Sequence, residues 1–336
     1  MPVASPPSRS RKKAPTGAAR RRLISILIPV FNEEANVDAA HAALSSVADE
    51  LSAYDVEFLF TDNHSTDETF DRLADLAARD PRVKVLRFKR NYGFQRSLLT
   101  AYKHASGDAA IQIDCDLQDP PELLPRFVAL WEKGHDVVVG LRRRRQESRL
   151  LTLGRRSFYK ILNNISDERI TPNAGDFRLV DRSVLDRLGA LDDQNPYVRG
   201  IISTLAANET GIPYDRIERR HGKSKFPVRK LFGFAFNGIF GHSIVPLRIA
   251  TYVGLLASCV TALLSLFYLV AAFFLHSAWP SGFATTTVLI LFGISLNAIF
   301  LGIIGEYISR IYQQVRSRPL VIVEKRLNMP EKDQQP

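Results

Sequence analysis

Two aspartates placed two residues apart follow an apolar run near the middle of the chain and offer the clearest chemistry in the sequence. The run begins at Ala109, and Asp114 and Asp116 stand at its end. Side chains i and i+2 of an extended chain point the same way, so both carboxylates can converge on one hard cation. Oxygen ligands suit Mg²⁺ or Mn²⁺, and Mg²⁺ prefers one or two carboxylates plus substrate phosphates. An ordinary solvated turn is the alternative, but the apolar strand before the pair and the turn after Gln118 favour the metal.

The elements that must position this pair alternate between strand and helix. Strands are predicted over Ile24–Phe31, Val56–Thr61, Val83–Phe88, Ala109–Asp114 and Asp136–Leu141. Helices are predicted over Glu34–Leu51, Asp67–Ala78, Phe94–Ala105 and Pro121–Lys133. This alternation predicts an α/β fold with a mostly parallel sheet covered on both faces. Ligands of such sheets lie outside the carboxyl ends of the strands, so one site should gather the polar residues that follow them.

The second half of the chain is rich in basic residues. A run of four arginines starts at Arg142, and the amphipathic segment Leu150–Ile165 follows it. Ala174 opens what reads as a further strand, with Asp176 at its start. Aromatic and basic residues interleave from Phe226 to Pro246, a composition that suits a helix in the membrane interface.

A long charge-free stretch indicates a membrane anchor. No Asp, Glu, Lys or Arg occurs from Ile249 to Gly305. A spanning helix needs about 20 apolar residues, so the stretch predicts two, over Ile249–Leu275 and Thr285–Ile308. A buried hairpin in a soluble core is the alternative. Basic residues flank both helices and are missing from the loop between them, so both flanks should be cytoplasmic.

Composition places the remaining segments. Residues 1–22 carry seven Lys or Arg and no acid, which predicts a disordered basic tail. Such a tail suits anionic lipid as well as nucleic acid, and no nucleic-acid partner is expected. Cys115 and Cys259 offer no disulfide framework, in keeping with a reduced, cytosolic site.

Several other chemistries find no support. Gly222 and the Lys-Ser after it suggest a phosphate-binding P-loop, but Ile217 stands where that motif needs glycine. The histidines show no zinc-ligand spacing, and no Gly-x-Ser-x-Gly elbow is present. The features that remain are a carboxylate pair, a sheet edge with room for a nucleotide, and abundant basic residues. Metal-bridged diphosphate is a natural leaving group for such a site, and its place beside a membrane suggests a lipid phosphate as acceptor.

Four motifs make a resemblance specific. They are Pro29-Val-Phe-Asn-Glu-Glu34, Asp114-Cys-Asp116-Leu-Gln118-Asp-Pro-Pro-Glu122, Ala174-Gly-Asp176-Phe-Arg178 and Arg219-Arg-His-Gly-Lys-Ser-Lys225. In this order, with the C-terminal hairpin, they resemble family-2 glycosyltransferases that act on polyprenyl phosphates. The bactoprenol (undecaprenyl-phosphate) glucosyltransferase group is the closest match, and dolichol-phosphate mannose synthases are more distant. The resemblance covers Leu23 to Ile311.

The resemblance implies roles for particular residues. Pro29, Phe31, Glu33 and Asp62 would hold the nucleoside, and Asp114, Asp116 and Gln118 the metal and diphosphate. Arg219 and Lys225 would close over the phosphates, and Arg142 and Arg156 would receive the acceptor phosphate, unless that pair is only a basic membrane-facing surface. Asp176 would be catalytic or, as an equal alternative, salt-bridged to a nearby arginine.

The resemblance also implies an architecture in four parts. A Rossmann-like domain of GT-A type would cover residues 23–225, and an amphipathic segment would follow over 226–248. Two transmembrane helices would lie within 249–308, and a cytoplasmic tail would cover 309–336. The expected reaction is inverting transfer of one sugar, with UDP-glucose as leading donor, to undecaprenyl phosphate at the cytoplasmic membrane. GDP-mannose, UDP-N-acetylglucosamine, a modified UDP-pentose and a non-catalytic basic membrane scaffold are the alternatives. No Gln-x-x-Arg-Trp motif is present, which disfavours a polymerising enzyme. A homo-oligomer stays open.

Overall fold

One mixed sheet organises the protein in the computed structural model, which describes residues 20–143, 174–216, 247, 249–257, 259–260, 263, 282–316 and 318–329. The elements, in chain order, are β1 (Leu23–Val30), α1 (Val37–Glu50), β2 (Asp55–Asp62), α2 (Thr69–Arg79), β3 (Val83–Phe88), α3 (Phe94–His104), β4 (Ala109–Gln112), a 3₁₀ turn (Pro121–Leu123), α4 (Leu124–Glu132), β5 (Val137–Arg142), β6 (Ala174–Asp181), α5 (Arg182–Gly189), α6 (Val198–Leu205), β7 (Glu209–Tyr214), α7 (Phe283–Val315) and β8 (Val323–Leu327).

The strand order explains where a site can form. The sheet runs β7-β5-β6-β4-β1-β2-β3-β8. β1 pairs in parallel with both β2 and β4, and β2 pairs in parallel with β3. The chain therefore winds outward from β1 in both directions, and the loops after β1 and β4 separate at the carboxyl edge. Crevices in open α/β sheets form at such a switch point.

Apolar side chains on both faces hold the helices against the sheet. One cluster packs α1, α2 and α4 against one face, with Leu44, Leu73 and Phe127 among its buried members. The other packs α3, α5 and α6 against the opposite face, around Leu99 and Val184. Full burial of each such side chain stabilises the fold by about 1.5–3 kcal/mol. The mostly parallel α/β sheet predicted from the sequence is thus confirmed.

β6 changes the direction of the sheet. It is antiparallel to both β4 and β5 and lies between them. Asp176, near the amino end of β6, is thereby brought to the same edge as the residues that follow the carboxyl end of β4. The strand predicted from Ala174 is confirmed.

The C-terminal part contains a long apolar helix and an edge strand. Within the described residues, one stretch, Phe292–Val315 of α7, is long and apolar enough to cross a membrane, with a mean hydropathy of 1.5 and none of it buried. The predicted span Thr285–Ile308 lies inside α7. The other predicted span, from Ile249 to Leu275, lies largely outside the described residues, although residues 249–257 are helical.

Hydrogen bonds tie the end of α7 to the sheet domain. The Gln194 amide donates to Oε1 of Gln314 over 3.0 Å, and its side-chain nitrogen donates to the carbonyl of Arg318 over 2.9 Å. After this junction the chain forms β8, which pairs antiparallel with β3. Part of the segment expected to form a C-terminal tail is therefore a strand of the sheet.

Candidate active site

A cleft of about 340 Å³ opens at the carboxyl edge of the sheet, at the switch point between β1 and β4. Loops after four neighbouring strands and the start of α3 form its walls. The lining residues are Pro29, Val30, Phe31, Glu33, Asn63, Asn91, Gly93, Phe94, Ser97, Asp114, Cys115 and Asp116. Five of the residues predicted for nucleotide or metal binding therefore meet in one place.

The loop after β1 supplies an aromatic wall. Phe31 is 44% exposed and faces the cleft. Asn32 adopts a left-handed backbone conformation with φ of 55°, which turns the chain between Phe31 and Glu33. The Asn32 amide donates to Oγ of Ser65 over 2.9 Å, so the loop after β2 stabilises this turn.

The loop after β2 contributes a residue that sequence reasoning missed. Asp62 has no exposed surface, and its Oδ1 accepts a hydrogen bond from the Ser65 amide over 2.9 Å. Asn63 lines the cleft instead. Its side chain donates to Oδ1 of Asn91 over 3.0 Å and accepts from the Tyr92 amide over 2.8 Å. In this arrangement Asp62 shapes the turn beside the cleft, and its predicted contact with the nucleoside stays a prediction.

Asp114 and Asp116 both line the cleft, as their spacing predicts. The side chain of Gln112 donates to Oδ1 of Asp114 over 2.9 Å. Leu117 has a φ of 51°, which reverses the chain so that the Gln118 amide donates to Oδ1 of Asp116 over 3.2 Å. Gln118 thus lies beside the pair, and the structure assigns its backbone, rather than its side chain, a contact with Asp116.

The electrostatics of this corner favour a bound cation. Burial, and after it the negative charges of Asp119, Asp176 and Asp116, raise the pKa of Asp114 to about 7 against the opposing effect of Arg216. Since each negative charge disfavours the next, a divalent cation would relieve the repulsion among them. Within the described residues, no group of three His, Cys, Asp or Glu side chains is arranged to hold a metal. Two carboxylates completed by substrate phosphates are a donor set that suits Mg²⁺.

The raised pKa gives a stability prediction. In metal-free protein the folded state holds the Asp114 proton up to about pH 7, whereas the unfolded chain releases it near pH 4, so this group makes folding less favourable as the pH rises between those values. We expect Asp114→Asn to raise the free energy of unfolding more at pH 8 than at pH 5, by about 2 kcal/mol. Unfolding of both proteins in excess chelator measures this difference. An equal effect at both pH values would contradict it.

A buried carboxylate, Asp119, organises the base of the site. It is 1% exposed and accepts a hydrogen bond from the hydroxyl of Tyr214. Arg216 approaches Asp119 to 3.2 Å and Asp114 to 3.6 Å. Arg142 lies 3.5 Å from Asp119 and donates to the Tyr214 hydroxyl over 3.2 Å. This network joins the loop after β4 to the ends of β5 and β7.

Arg142 is therefore more buried than the run of arginines to which it belongs suggested. Its side chain is 18% exposed and engaged with Asp119 and Tyr214. Its predicted contact with an acceptor phosphate stays a prediction. Arg156, Arg219 and Lys225, the other basic residues predicted to bind phosphate, lie outside the described residues.

Asp176 is paired with an arginine from α6. Arg199 donates to both of its carboxylate oxygens, with Nε 3.0 Å from Oδ1 and Nη2 2.7 Å from Oδ2. Arg199 also donates to the carbonyl of Ala174 over 3.2 Å. This bidentate pair matches the salt bridge weighed in the sequence analysis. Asp176 nevertheless acts on the carboxylate pair through its charge, which helps to raise the pKa of Asp114.

Comparison with known proteins identifies the class of protein to which this fold and cleft belong. A model described as "Glycosyl transferase family 2" matches residues 25–189. The uncharacterized glycosyltransferase YkcC of Bacillus subtilis (strain 168) is 36% identical over 302 residues, which cover 90% of this chain and 93% of that protein. The SfII prophage-derived bactoprenol glucosyl transferase of Shigella flexneri is 37% identical over 314 residues, covering 90% of this chain and 97% of that protein.

The chain belongs to glycosyl transferase family 2, and its predicted resemblance to the bactoprenol glucosyl transferase group is confirmed. Family membership makes it an enzyme and leaves the non-catalytic scaffold without support. Among solved structures, a glucosyl-3-phosphoglycerate synthase from Mycobacterium tuberculosis is similar to 65% of this chain and 78% of its own, with 21% identity and a TM-score of 0.48.

Proposed function

We propose that this protein transfers one glucosyl residue from UDP-glucose to undecaprenyl phosphate at the cytoplasmic face of the membrane, with inversion at the anomeric carbon. The names of its relatives support both the sugar and the lipid. The observation that carries the proposal is the meeting of Asp114 and Asp116 with the exposed ring of Phe31 in one cleft. GDP-mannose, UDP-N-acetylglucosamine and a modified UDP-pentose are the alternative donors.

The cleft suggests how the donor would bind. An exposed aromatic ring offers a stacking surface for a nucleobase, and Phe31 presents such a ring at the mouth of the cleft. The Asn63–Asn91 pair gives that wall a polar edge. Asp114 and Asp116 would hold Mg²⁺ or Mn²⁺, which when bound neutralises the charge that develops on the departing diphosphate.

The transfer itself needs little acid–base help from the protein. An oxygen of the lipid phosphate forms a bond to C1 of the sugar while the bond from C1 to the diphosphate oxygen breaks, and the nucleoside diphosphate leaves with that electron pair. The second pKa of a phosphate monoester is about 6, so the nucleophile is already mostly a dianion at neutral pH. The protein has to bind and orient both anions and keep their charges balanced.

Asp176 is accordingly expected to orient rather than to accept a proton. Asp176→Asn keeps size and hydrogen bonding but removes the charge that faces Arg199. We expect measurable transfer by this variant, lowered by about 10- to 100-fold, because a misplaced substrate slows the reaction without stopping it. Rates measured at saturating donor and acceptor test this. Complete loss with both substrates still bound would show instead that proton abstraction or the charge is indispensable.

The membrane arrangement is a further part of the proposal. The long apolar helix α7 and the charge-free stretch before it would form two spans, with the catalytic domain and both termini in the cytoplasm. A reporter fused after Pro336 should therefore respond as a cytoplasmic protein, and one inserted beside Trp279 as a periplasmic one. The reverse readout would place the cleft on the wrong side for a cytoplasmic nucleotide sugar.

A donor panel tests the proposed reaction. Purified full-length protein in detergent would receive undecaprenyl phosphate, Mg²⁺ or Mn²⁺, and one radiolabelled nucleotide sugar at a time. UDP-glucose should give labelled lipid fastest. A faster reaction with GDP-mannose, UDP-N-acetylglucosamine or a UDP-pentose would correct the donor, whereas no labelled lipid with any of them would refute the function.

A further inference from the structure

The edge strand β8 carries an irregularity opposite the end of β3, and the residue it adds, Glu324, has its Oε2 3.7 Å from Nδ1 of His64 in the loop after β2. Arg87 pairs with Lys325 and Phe88 pairs with Val323, so Glu324 is an extra residue on β8. Such a bulge re-aims a side chain and is common beside active sites. The strand itself is fixed, since the Asn328 side chain donates to the carbonyls of Ala77 over 2.7 Å and Val83 over 2.9 Å.

The bulge directs Glu324 toward Arg87, which lies between two carboxylates. Nε of Arg87 lies 3.6 Å from Oε2 of Glu324 and 3.8 Å from Oδ2 of Asp62. The Arg87 guanidinium also stacks 4.2 Å from the centre of the Phe70 ring. Because the Asp62 carboxylate is fully buried, its charge needs a nearby cation. Glu324 and Phe70 together determine where that cation sits.

From Arg87 the contacts continue to the wall of the cleft. Nη2 of Arg87 lies 3.5 Å from the carbonyl oxygen of Ser65, and the Ser65 amide donates to Asp62. Oγ of Ser65 accepts from the amide of Asn32. Asn32 has the positive φ that separates Phe31 from Glu33, a conformation that asparagine adopts more readily than most residues, and its Oδ1 also accepts a hydrogen bond from the Thr66 amide over 2.8 Å.

We propose that Glu324 is a positioning residue for the donor nucleotide. It fixes Arg87, which fixes the turn over residues 62–65 and thereby the loop that presents Phe31. Without the Glu324 charge, Arg87 would close on Asp62 and pull this turn out of place. The C-terminal strand that follows the long apolar helix would thus complete the nucleotide-binding wall. This inference rests on the proposed function, since it assumes that the cleft binds a nucleotide.

The test compares Glu324→Gln with a matched variant on the same strand. Arg326→Gln is the control, because Arg326 has no ion pair within the part of the chain that the structure describes. Full-length protein in detergent would be titrated with UDP and with GDP, and the donor KM and kcat would be measured. We expect Glu324→Gln to raise the Kd of the nucleotide and the donor KM about fivefold, with kcat within about twofold of wild type, and Arg326→Gln to change neither.

A double-mutant cycle separates the proposed route from general loosening of the sheet edge. Arg87→Gln should weaken nucleotide binding, and Arg87→Gln/Glu324→Gln should bind no more weakly than Arg87→Gln alone, because Glu324 acts through Arg87. Additive losses, an unchanged Kd in Glu324→Gln, or equal losses in Glu324→Gln and Arg326→Gln would overturn the inference. Wild-type protein that binds neither nucleotide would instead refute the proposed function, and this inference with it.

Discussion

Replacing Asp116 by Asn should lower the rate of sugar transfer by at least about a hundredfold while the fold remains intact. The substitution keeps size and shape but removes one of the two aspartate carboxylates that line the cleft. If these carboxylates hold the cation that neutralises the leaving diphosphate, its loss acts on the transition state, where single electrostatic contacts contribute about 10²–10³ in rate. Initial rates at saturating donor, acceptor and metal measure this.

Asp186→Asn is the matched control for this experiment. Asp186 lies on α5 with a side chain that is 66% exposed, and it pairs with Arg182 one helical turn away. The same change of charge there should leave the rate unaltered. Thermal unfolding of both variants would show that each is folded. Undiminished transfer by Asp116→Asn would refute the assignment of the carboxylate pair.

Asp119→Asn should reduce stability more than any other single change at the site. Its carboxylate is buried, accepts a hydrogen bond from Tyr214 and forms ion pairs with Arg142 and Arg216. Removing one partner of a buried ion pair costs about 3–5 kcal/mol, because the remaining charges lose their compensation. Both arginines keep some contact with solvent, so we expect a loss of about 3 kcal/mol. Denaturant unfolding in detergent measures it, and a loss below about 1 kcal/mol would contradict the account of this network.

The pH dependence of activity shows whether Asp119 acts through its charge or only through packing. Among the neighbouring charges, that of Asp119 has the largest effect in raising the pKa of Asp114. Asp119→Asn should therefore lower that pKa, and metal-dependent activity should persist to lower pH than in wild type. An unchanged pH profile in a folded variant would show that Asp119 does not influence the ionisation of Asp114.

Local pattern predicted much of the sheet and part of the cleft. The five strands and four helices expected before Leu141 are all present, since each depends on apolar periodicity within a short stretch of chain. Asp114 and Asp116 meet Pro29, Phe31 and Glu33 because parallel strands end at one edge. These residues could be found from where each strand stops.

Partners distant in the chain could not be predicted in this way. Asp119 meets Tyr214 across 95 residues, and Glu324 lies beside Arg87 only because β8 returns to the sheet after the long apolar helix. Arg142 belongs to a run of arginines that reads as a surface, yet its side chain is held by Asp119. Burial of a charged side chain follows from tertiary packing and leaves no signal in composition. Asn63 was missed because the resemblance assigned the nucleoside contact to the neighbouring Asp62.

The mass of the lipid product shows whether the protein transfers a single hexose to undecaprenyl phosphate. Wild-type protein given UDP-glucose, undecaprenyl phosphate and Mg²⁺ or Mn²⁺ should form undecaprenyl phosphate carrying one hexose, and the Asp116→Asn variant or excess chelator should abolish that product. Lipid extracted from the reaction and weighed by mass spectrometry gives the answer. Free glucose without glucosylated lipid, a ladder of two or more hexoses, or equal product from Asp116→Asn would contradict the single, carboxylate-dependent transfer proposed for this cleft.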